Sequence, residues 1–227
     1  SLYPYVQLGV MVLFVLIVYF ALISTKKAEQ NKVWVGLSKE TAHQLGTPIS
    51  SLMAWMDLLE SSGVDSSLLS DMNKDVNRLS VIAERFSKIG SKPEMELIYV
   101  NEVLENATEY MRRRVSDKVL ITTHLPSDAE GAMVCLSLFE WVIENLCKNA
   151  VDAMNGEGRI DVYMTSEKQQ IYIDIKDTGK GIARKNFKTV FNPGYTTKKR
   201  GWGLGLTLAK RIIEDYHAGR IYVKDSE

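Results

Sequence analysis

The chain has 227 residues, 45% of them hydrophobic, with 28 basic and 28 acidic side chains and no formal net charge. That length holds one large domain or two small ones, and the charge balance leaves no electrostatic footprint for nucleic acid, so no nucleic-acid partner is expected. The two cysteines, Cys135 and Cys147, lie in apolar surroundings without Cys-x-x-Cys spacing, which reads as buried reduced thiols in a cytosolic compartment rather than a disulfide or metal framework.

From residue 5 to 24 there is no charge, and the stretch 8–18 is almost entirely apolar. About 20 such residues can span the ~30 Å hydrocarbon layer as a helix. Tyr3, Tyr5 and Tyr19 suit the two interfaces, and Lys26, Lys27 and Lys32 follow at once, which puts the C-terminal side in the cytoplasm. A secretory signal peptide fits less well, because a basic n-region and a small-residue cleavage site are both missing. The chain begins with Ser rather than Met, so the expectation is the last transmembrane helix of a protein of the cytoplasmic (inner) membrane, with a sensor region upstream. Fewer than twenty residues separate Ser24 from His43. The membrane helix is therefore expected to run directly into the next helix, delivering signals as rotation, tilt or piston motion.

Leu45, Ile49, Leu52, Met56 and Leu59 follow one another at spacings of four and three, the pattern of a coiled coil. Ala42 lies on the same seam, and His43 falls one residue past it, on the rim facing water. Residues 61–66, Ser-Ser-Gly-Val-Asp-Ser, break the helix. A second seam follows: Leu69, Met72, Val76, Leu79, Ala83 and Phe86. A lone αα-hairpin cannot bury both stripes, so two chains are expected to combine as a homodimer with a four-helix bundle. Ser91-Lys92-Pro93 closes the second helix and reads as a linker. The expected domains are 1–24 (transmembrane helix), 25–92 (helical hairpin) and 93–227.

Beyond Pro93 the pattern is mixed α and β. It predicts a strand at 97–100, a helix capped by Asn101 and running to about 115, and a strand at 119–123. A long helix over 136–154 follows, then strands at 159–165 and 170–176, a helix at 204–217 and the start of another strand at 219–223.

Several groups in this frame carry chemistry. A neutral imidazole is a nucleophile near pH 7. His43 sits beside Gly46 and Pro48, both of which weaken a helix, and local flexibility suits a phosphoacceptor better than a plain bundle. His124 and His217 read as ordinary structural histidines. Asn145 and Asn149 are four apart and share a helix face; their amide oxygens are hard ligands of the kind Mg²⁺ accepts beside phosphates. Asp177 ends an alternating strand, where a carboxylate can accept the adenine amino group, and Gly179 and Gly181 permit a sharp turn and close ligand approach. Gly203, Leu204 and Gly205 open the last helix, where backbone amides can bind phosphate. A Walker-type Gly-Lys-Ser/Thr is absent, which excludes a P-loop enzyme on its own motif.

Four blocks stand in a fixed order: His43-Gln44-Leu45-Gly46-Thr47-Pro48, Asn145-Leu146-Cys147-Lys148-Asn149-Ala150, Asp177-Thr178-Gly179-Lys180-Gly181 and Gly201-Trp202-Gly203-Leu204-Gly205-Leu206. This set resembles the sensor histidine kinases of two-component systems, whose ATP-binding domain is of the GHKL type, over about residues 31–227. The resemblance implies a multi-domain membrane protein: a transmembrane helix, a hairpin dimerising into a four-helix bundle, and an α+β two-layer sandwich that binds ATP and Mg²⁺. It further implies autophosphorylation of His43 and transfer of the phosphoryl group to an aspartate in a response regulator receiver domain. Asn149 would hold Mg²⁺, supported by Asn145. Thr47 matches the position that helps orient water for dephosphorylating the regulator, so a phosphatase activity is compatible. Residues 187–198 resemble a hinge and lid, with Phe187 and Phe191 as core packing and Thr196, Thr197 and Lys198 turned to phosphates.

The chain departs from the pattern at two places. Gln44 stands where much of the family has an acid, and Glu40 is a candidate substitute base. Asp152-Ala153 stands where many relatives have Lys-Tyr, a loss that Lys198, Lys199 and Arg200 could make good if they are more than a solvated basic run. The family carries one more strand after 219–223, so a C-terminal truncation or disorder is expected. Two alternatives stay open: a degenerate kinase that binds nucleotide and signals by conformation without phosphotransfer, and a GHKL ATPase of another type.

Overall fold

The computed structural model describes residues 3–91, 93–127, 130–198 and 203–226, which fall into two compact units, Ser1–Lys92 and Pro93–Glu227. Lys199, Arg200, Gly201 and Trp202 lie outside the described residues.

The first unit is a pair of helices. α1 (Tyr3–Ser61) is continuous over 59 residues, as expected from the short spacing before His43. Its first segment, Tyr3–Lys26, contains an 18-residue stretch with a mean hydropathy of 2.7 and is wholly exposed. At 1.5 Å rise per residue it is about 36 Å long, enough by length and composition to cross a ~30 Å layer. α1 carries on through Pro48 although proline offers no N–H to the Gln44 carbonyl. Around it, Ser50 Oγ donates to Gly46 O (3.0 Å) and Ser51 Oγ to Thr47 O (3.2 Å), side-chain bonds that compete with the helical ladder.

Gly63 makes the turn with φ +77°, a left-handed conformation that favours glycine. Asp65 then caps α2 (Ser66–Gly90), accepting from Ser67 N–H at 2.9 Å, and that bond holds its carboxyl below the usual range. Ile49 and Met56 of α1 pack with Val76 and Ala83 of α2, flanked by Leu45. The seam residues between them, Leu52, Leu59, Met72 and Leu79, stay 36–41% exposed. At the far end of the hairpin the helices approach closely: a Cβ on Gly90 would lie 2.8 Å from the Lys39 nitrogen.

The second unit is α+β. Its elements are β1 (Glu96–Tyr99), α3 (Val100–Arg112), β2 (Val119–His124), β3 (Gly131–Val134), α4 (Leu136–Ala153), β4 (Gly158–Glu167), β5 (Gln170–Asp177) and α5 (Gly205–Arg211). Short 3₁₀ turns cover Arg184–Asn186 and Thr189–Phe191, and α5 ends in a π-helical turn, Ile212–Tyr216. β1 pairs antiparallel with β3, and a three-stranded sheet runs β2-β4-β5. β2 and β4 are parallel, joined through α4, whereas β4 and β5 form a hairpin. Lys168 and Gln169 turn that hairpin with φ of 51° and 64°, the paired positive angles of a tight type I′ turn.

The helices bury one stripe each against the sheet. Val100, Val103, Leu104, Ala107 and Met111 recur at helical spacing on α3, and Phe139, Ile143, Cys147 and Ala150 on α4. Opposite them stand Val119 and Ile121 of β2 and Ile160, Val162 and Met164 of β4, alternate residues of each strand. Arg112 ties α3 to β2: its Nε donates to the Ile121 carbonyl at 3.0 Å while Nη1 bridges Glu105 and Glu109.

Four expectations need correction. Val100 opens α3 rather than closing β1, and Asn101 lies inside the helix; Tyr99 is the cap position and offers no side-chain bond. α3 ends at Arg112, three residues short of Val115. β3 was not anticipated, because four residues that pair only with the distant β1 carry no local period. The segment 219–223 joins no strand; Lys224 instead pairs with Asp174 at 2.6 Å, and Ser226 Oγ accepts from Ile182 N–H.

Candidate functional site

The site of the second unit is organised by α4. Asn145, Asn149 and Asp152 lie at spacings of four and three on this helix, hence on one face. Gly205, the first residue of α5, sits against that face. A Cβ there would meet Asn145 Oδ1 and Asn149 Nδ2, both at 3.8 Å. The Nδ2 of Asn145 is buried and has no hydrogen-bond partner among the described residues, an expensive state for a donor unless something else satisfies it. Asn149 Oδ1 accepts from Lys198 Nζ at 3.0 Å, and the same ammonium reaches Asp152 Oδ2 at 2.5 Å. Asp152 thus has a partner 46 residues away, which spacing along the sequence gave no means to find.

The Asp-x-Gly-x-Gly turn docks at the C-terminal end of the same helix. Asp177, the last residue of β5, accepts from Gly179 N–H through Oδ1 at 2.8 Å. Gly179 presses on Ala153: a Cβ would fall 2.7 Å from the Ala153 Cβ and from Asp177 Oδ1, so only glycine lets the turn close there. Lys180 N–H donates to the Ala153 carbonyl at 3.2 Å, and Gly181 takes φ +70°.

The third arm comes from 187–198 and 203–205. Phe191 is buried and its carbonyl accepts from Thr207 Oγ1 at 3.1 Å; Phe187 is half-buried. Thr196 Oγ1 accepts from Lys198 N–H at 3.1 Å, and Thr196 and Thr197 are exposed. Gly203, at φ +64°, lets two backbones meet, since a Cβ would lie 2.5 Å from the Gly194 carbonyl carbon. Leu204 precedes α5 and its carbonyl accepts from Leu208 N–H. Asn145, Asn149, Lys198 and Gly205 therefore gather around α4, with Asp177 and Gly179 at its end and Gly203 against Gly194.

The first unit holds the other candidate residues. His43, Gln44 and Thr47 are exposed on α1. Gln44 Nε2 donates to Glu40 Oε1 at 2.6 Å, so the amide is engaged by a carboxylate one turn earlier. Thr47 Oγ1 faces the His43 carbonyl at 3.4 Å. Both cysteines are buried and free, and burial pushes the Cys147 thiol up to about 11, which keeps it unreactive. His217 is structural: Cys135 N–H donates to its Nε2 at 3.0 Å, leaving Nδ1–H to donate to the Ile212 carbonyl at 2.8 Å.

Residues 136–227 match the family model described as histidine kinase-, DNA gyrase B-, and HSP90-like ATPase. The chain is 25% identical over 203 residues to sporulation kinase A of Bacillus subtilis (strain 168), covering 87% of this chain and 33% of that protein. It is 25% identical over 215 residues to the sensor histidine kinase ZraS of Salmonella typhimurium, covering 91% of this chain and 46% of ZraS. The chain thus spans less than half the length of these curated relatives. Its fold is similar to that of the histidine kinase ThkA solved in complex with the response regulator protein TrrA, with a TM-score of 0.54 at 18% identity over 92% of this chain and 64% of that one. The chain is similar over most of its length to proteins named sensor histidine kinases, and residues 136–227 carry an ATPase domain of the histidine kinase, DNA gyrase B and HSP90 type.

Proposed function

We propose that this chain is the membrane-proximal and catalytic part of a membrane-bound sensor histidine kinase that phosphorylates His43 from ATP and passes the phosphoryl group to an aspartate of a response regulator. One observation carries the reading: an exposed histidine on a coiled-coil hairpin shares a chain with an ATPase domain whose two helical asparagines face the glycine that opens α5.

In this reading ATP lies along α4. Asn149 is the Mg²⁺ ligand; its amide oxygen already holds an ammonium, and an oxygen suited to one cation suits another. The orphan Nδ2 of Asn145 is a donor for a phosphate oxygen. Bound Mg²⁺ supplies charge neutralisation between the phosphates. Asp177 spends Oδ1 on Gly179 and offers its second oxygen to the adenine amino group. Thr196, Thr197, Lys198 and the backbone of Gly203, Leu204 and Gly205 meet the phosphates, and Gly181 keeps the turn open to the nucleotide.

The His43 imidazole nitrogen uses its lone pair to form the P–N bond as the bond from the γ-phosphorus to ADP breaks. The ring proton needs an acceptor. Gln44 cannot serve at neutral pH, whereas Glu40, which it contacts, can. Thr47 orients water when the same site removes phosphate from the regulator. TrrA is the response regulator protein seen with ThkA, and a partner of that class is assigned here by analogy.

The exposed seam residues of the hairpin are covered by a second copy, giving a four-helix bundle. The Tyr3–Lys26 segment anchors the dimer in the cytoplasmic (inner) membrane with the catalytic part in the cytoplasm.

The test is incubation of the full chain, in detergent, with γ-labelled ATP and Mg²⁺ beside His43→Ala. The expected result is an acid-labile, alkali-stable label that the substitution abolishes. ATP binding without any label would overturn the kinase reading and favour the degenerate, conformational signalling module suggested by Gln44 and Asp152.

A further inference from the structure

Lys198 bridges Asn149 and Asp152, and its place matters more than its strength. Both side chains of the ion pair are near 40% exposed, so the pair alone is worth little. Yet Asp152 sets the Lys198 ammonium 3.0 Å from the Asn149 amide oxygen, the atom assigned above to Mg²⁺. Mg²⁺ takes its ligands at 2.0–2.1 Å and demands near-octahedral space. An ammonium bonded to that oxygen competes for its lone pairs and would repel a metal bound there at close range.

We propose that Asp152 is a positioning residue that holds Lys198 on Asn149 as an internal stand-in cation, so that Mg²⁺ enters by displacing it. This rests on the reading of α4 as the Mg²⁺–nucleotide site. Asn149 and Asp152 are three apart on one helical face, and one ammonium reaches both. The internal cation satisfies the amide oxygen when no metal is bound and raises the Mg²⁺ concentration at which nucleotide is captured. Removing either member of the pair should therefore make Mg²⁺ easier to bind, the opposite of what loss of a metal-attracting carboxylate would do.

The test uses the full chain in detergent, the fluorescent nucleotide mant-ADP, and a Mg²⁺ titration that reads the half-saturating metal concentration for nucleotide capture. Asp152→Asn and Lys198→Met should each lower that concentration about fivefold, the order of one partly exposed ion pair. The double substitution should go no lower than the stronger single one, whatever happens to affinity at saturating metal. Asp152→Glu should keep the wild-type midpoint. Unchanged midpoints, or additive effects in the double variant, would overturn the proposal. A higher midpoint in Asp152→Asn would overturn it too, and would mark Asp152 as a carboxylate that attracts the metal. Failure of the unsubstituted chain to bind mant-ADP at any Mg²⁺ concentration would remove the site reading itself, and the stand-in cation with it.

Discussion

The two units differ in how far each covers its own apolar residues. The second gathers sixteen buried residues from α3, α4 and the sheets into one cluster. Among the described residues, the hairpin of the first gathers four into its cluster, with Leu45 beside them. Along Tyr3–Lys26 the apolar side chains are exposed without exception, and on the hairpin every second seam residue is left open. One unit is therefore built to be stable through its own core. On the reading proposed above, the other completes its burial elsewhere, in lipid for the first segment and against a second copy for the hairpin. Buried apolar area is the dominant favourable contribution in both cases; what differs is who supplies the other surface.

The largest break in this comparison should come from the self-contained core. Leu104 is 0% exposed on α3. Leu104→Ala should cost about 2–5 kcal/mol, the range for a leucine truncated where neighbours relax only partly. Denaturant unfolding followed by circular dichroism would read it, and a loss below about 1 kcal/mol would deny that this cluster carries the unit. A smaller effect is expected at the open seam. Leu79→Glu should leave the helices formed but weaken association, by about 1.5–3 kcal/mol for each leucine denied burial. Sedimentation over a concentration series in detergent would show the dimer dissociating at higher concentration than the unsubstituted chain. An unchanged dimer would mean that Leu79 faces something other than the second copy.

The same division decides what the sequence made legible. Hairpin helices repeat their contacts every three or four residues, so Ile49, Met56, Val76 and Ala83 could be read off the chain along with their unburied neighbours. Strands β2, β4 and β5 also carry their own pattern, though their ends shift by a residue or two. What stayed hidden depends on partners far apart. β3 makes sense only through its pairing with β1. α3 starts at Val100 because Val100, Val103 and Leu104 share a buried face, which outweighed the capping preference of Asn101. At the site, Asn145, Asn149, Asp177 and the glycines could be named in advance from residue chemistry and family resemblance. The bond from Lys198 to Asp152 could not, because the loop that carries Lys198 obeys no period. Gln44 reaching back to Glu40 was within sight, since i and i+4 are neighbours on a helix.

The smallest expected effect sharpens the comparison from inside the second unit. His217 joins the start of α4 to the first residue of the π turn: Nε2 accepts from Cys135 N–H while Nδ1–H donates to the Ile212 carbonyl. Burial holds the imidazole below its ordinary value, and a protonated ring would turn an N–H toward the Cys135 N–H. With the folded value depressed, the neutral ring contributes fully above about pH 6.5, the ordinary histidine value. That contribution fades as pH falls toward the lower native value, because the unfolded chain binds the proton first. Between pH 7.5 and pH 5 the unsubstituted chain should lose about 1 kcal/mol more stability than His217→Leu, roughly one buried hydrogen bond. Parallel denaturation curves for the two proteins at both pH values would measure that difference, with carboxylate titration common to both and cancelling. Equal losses would mean that α4 is held without His217 and that the second unit is stabilised by its apolar cluster alone.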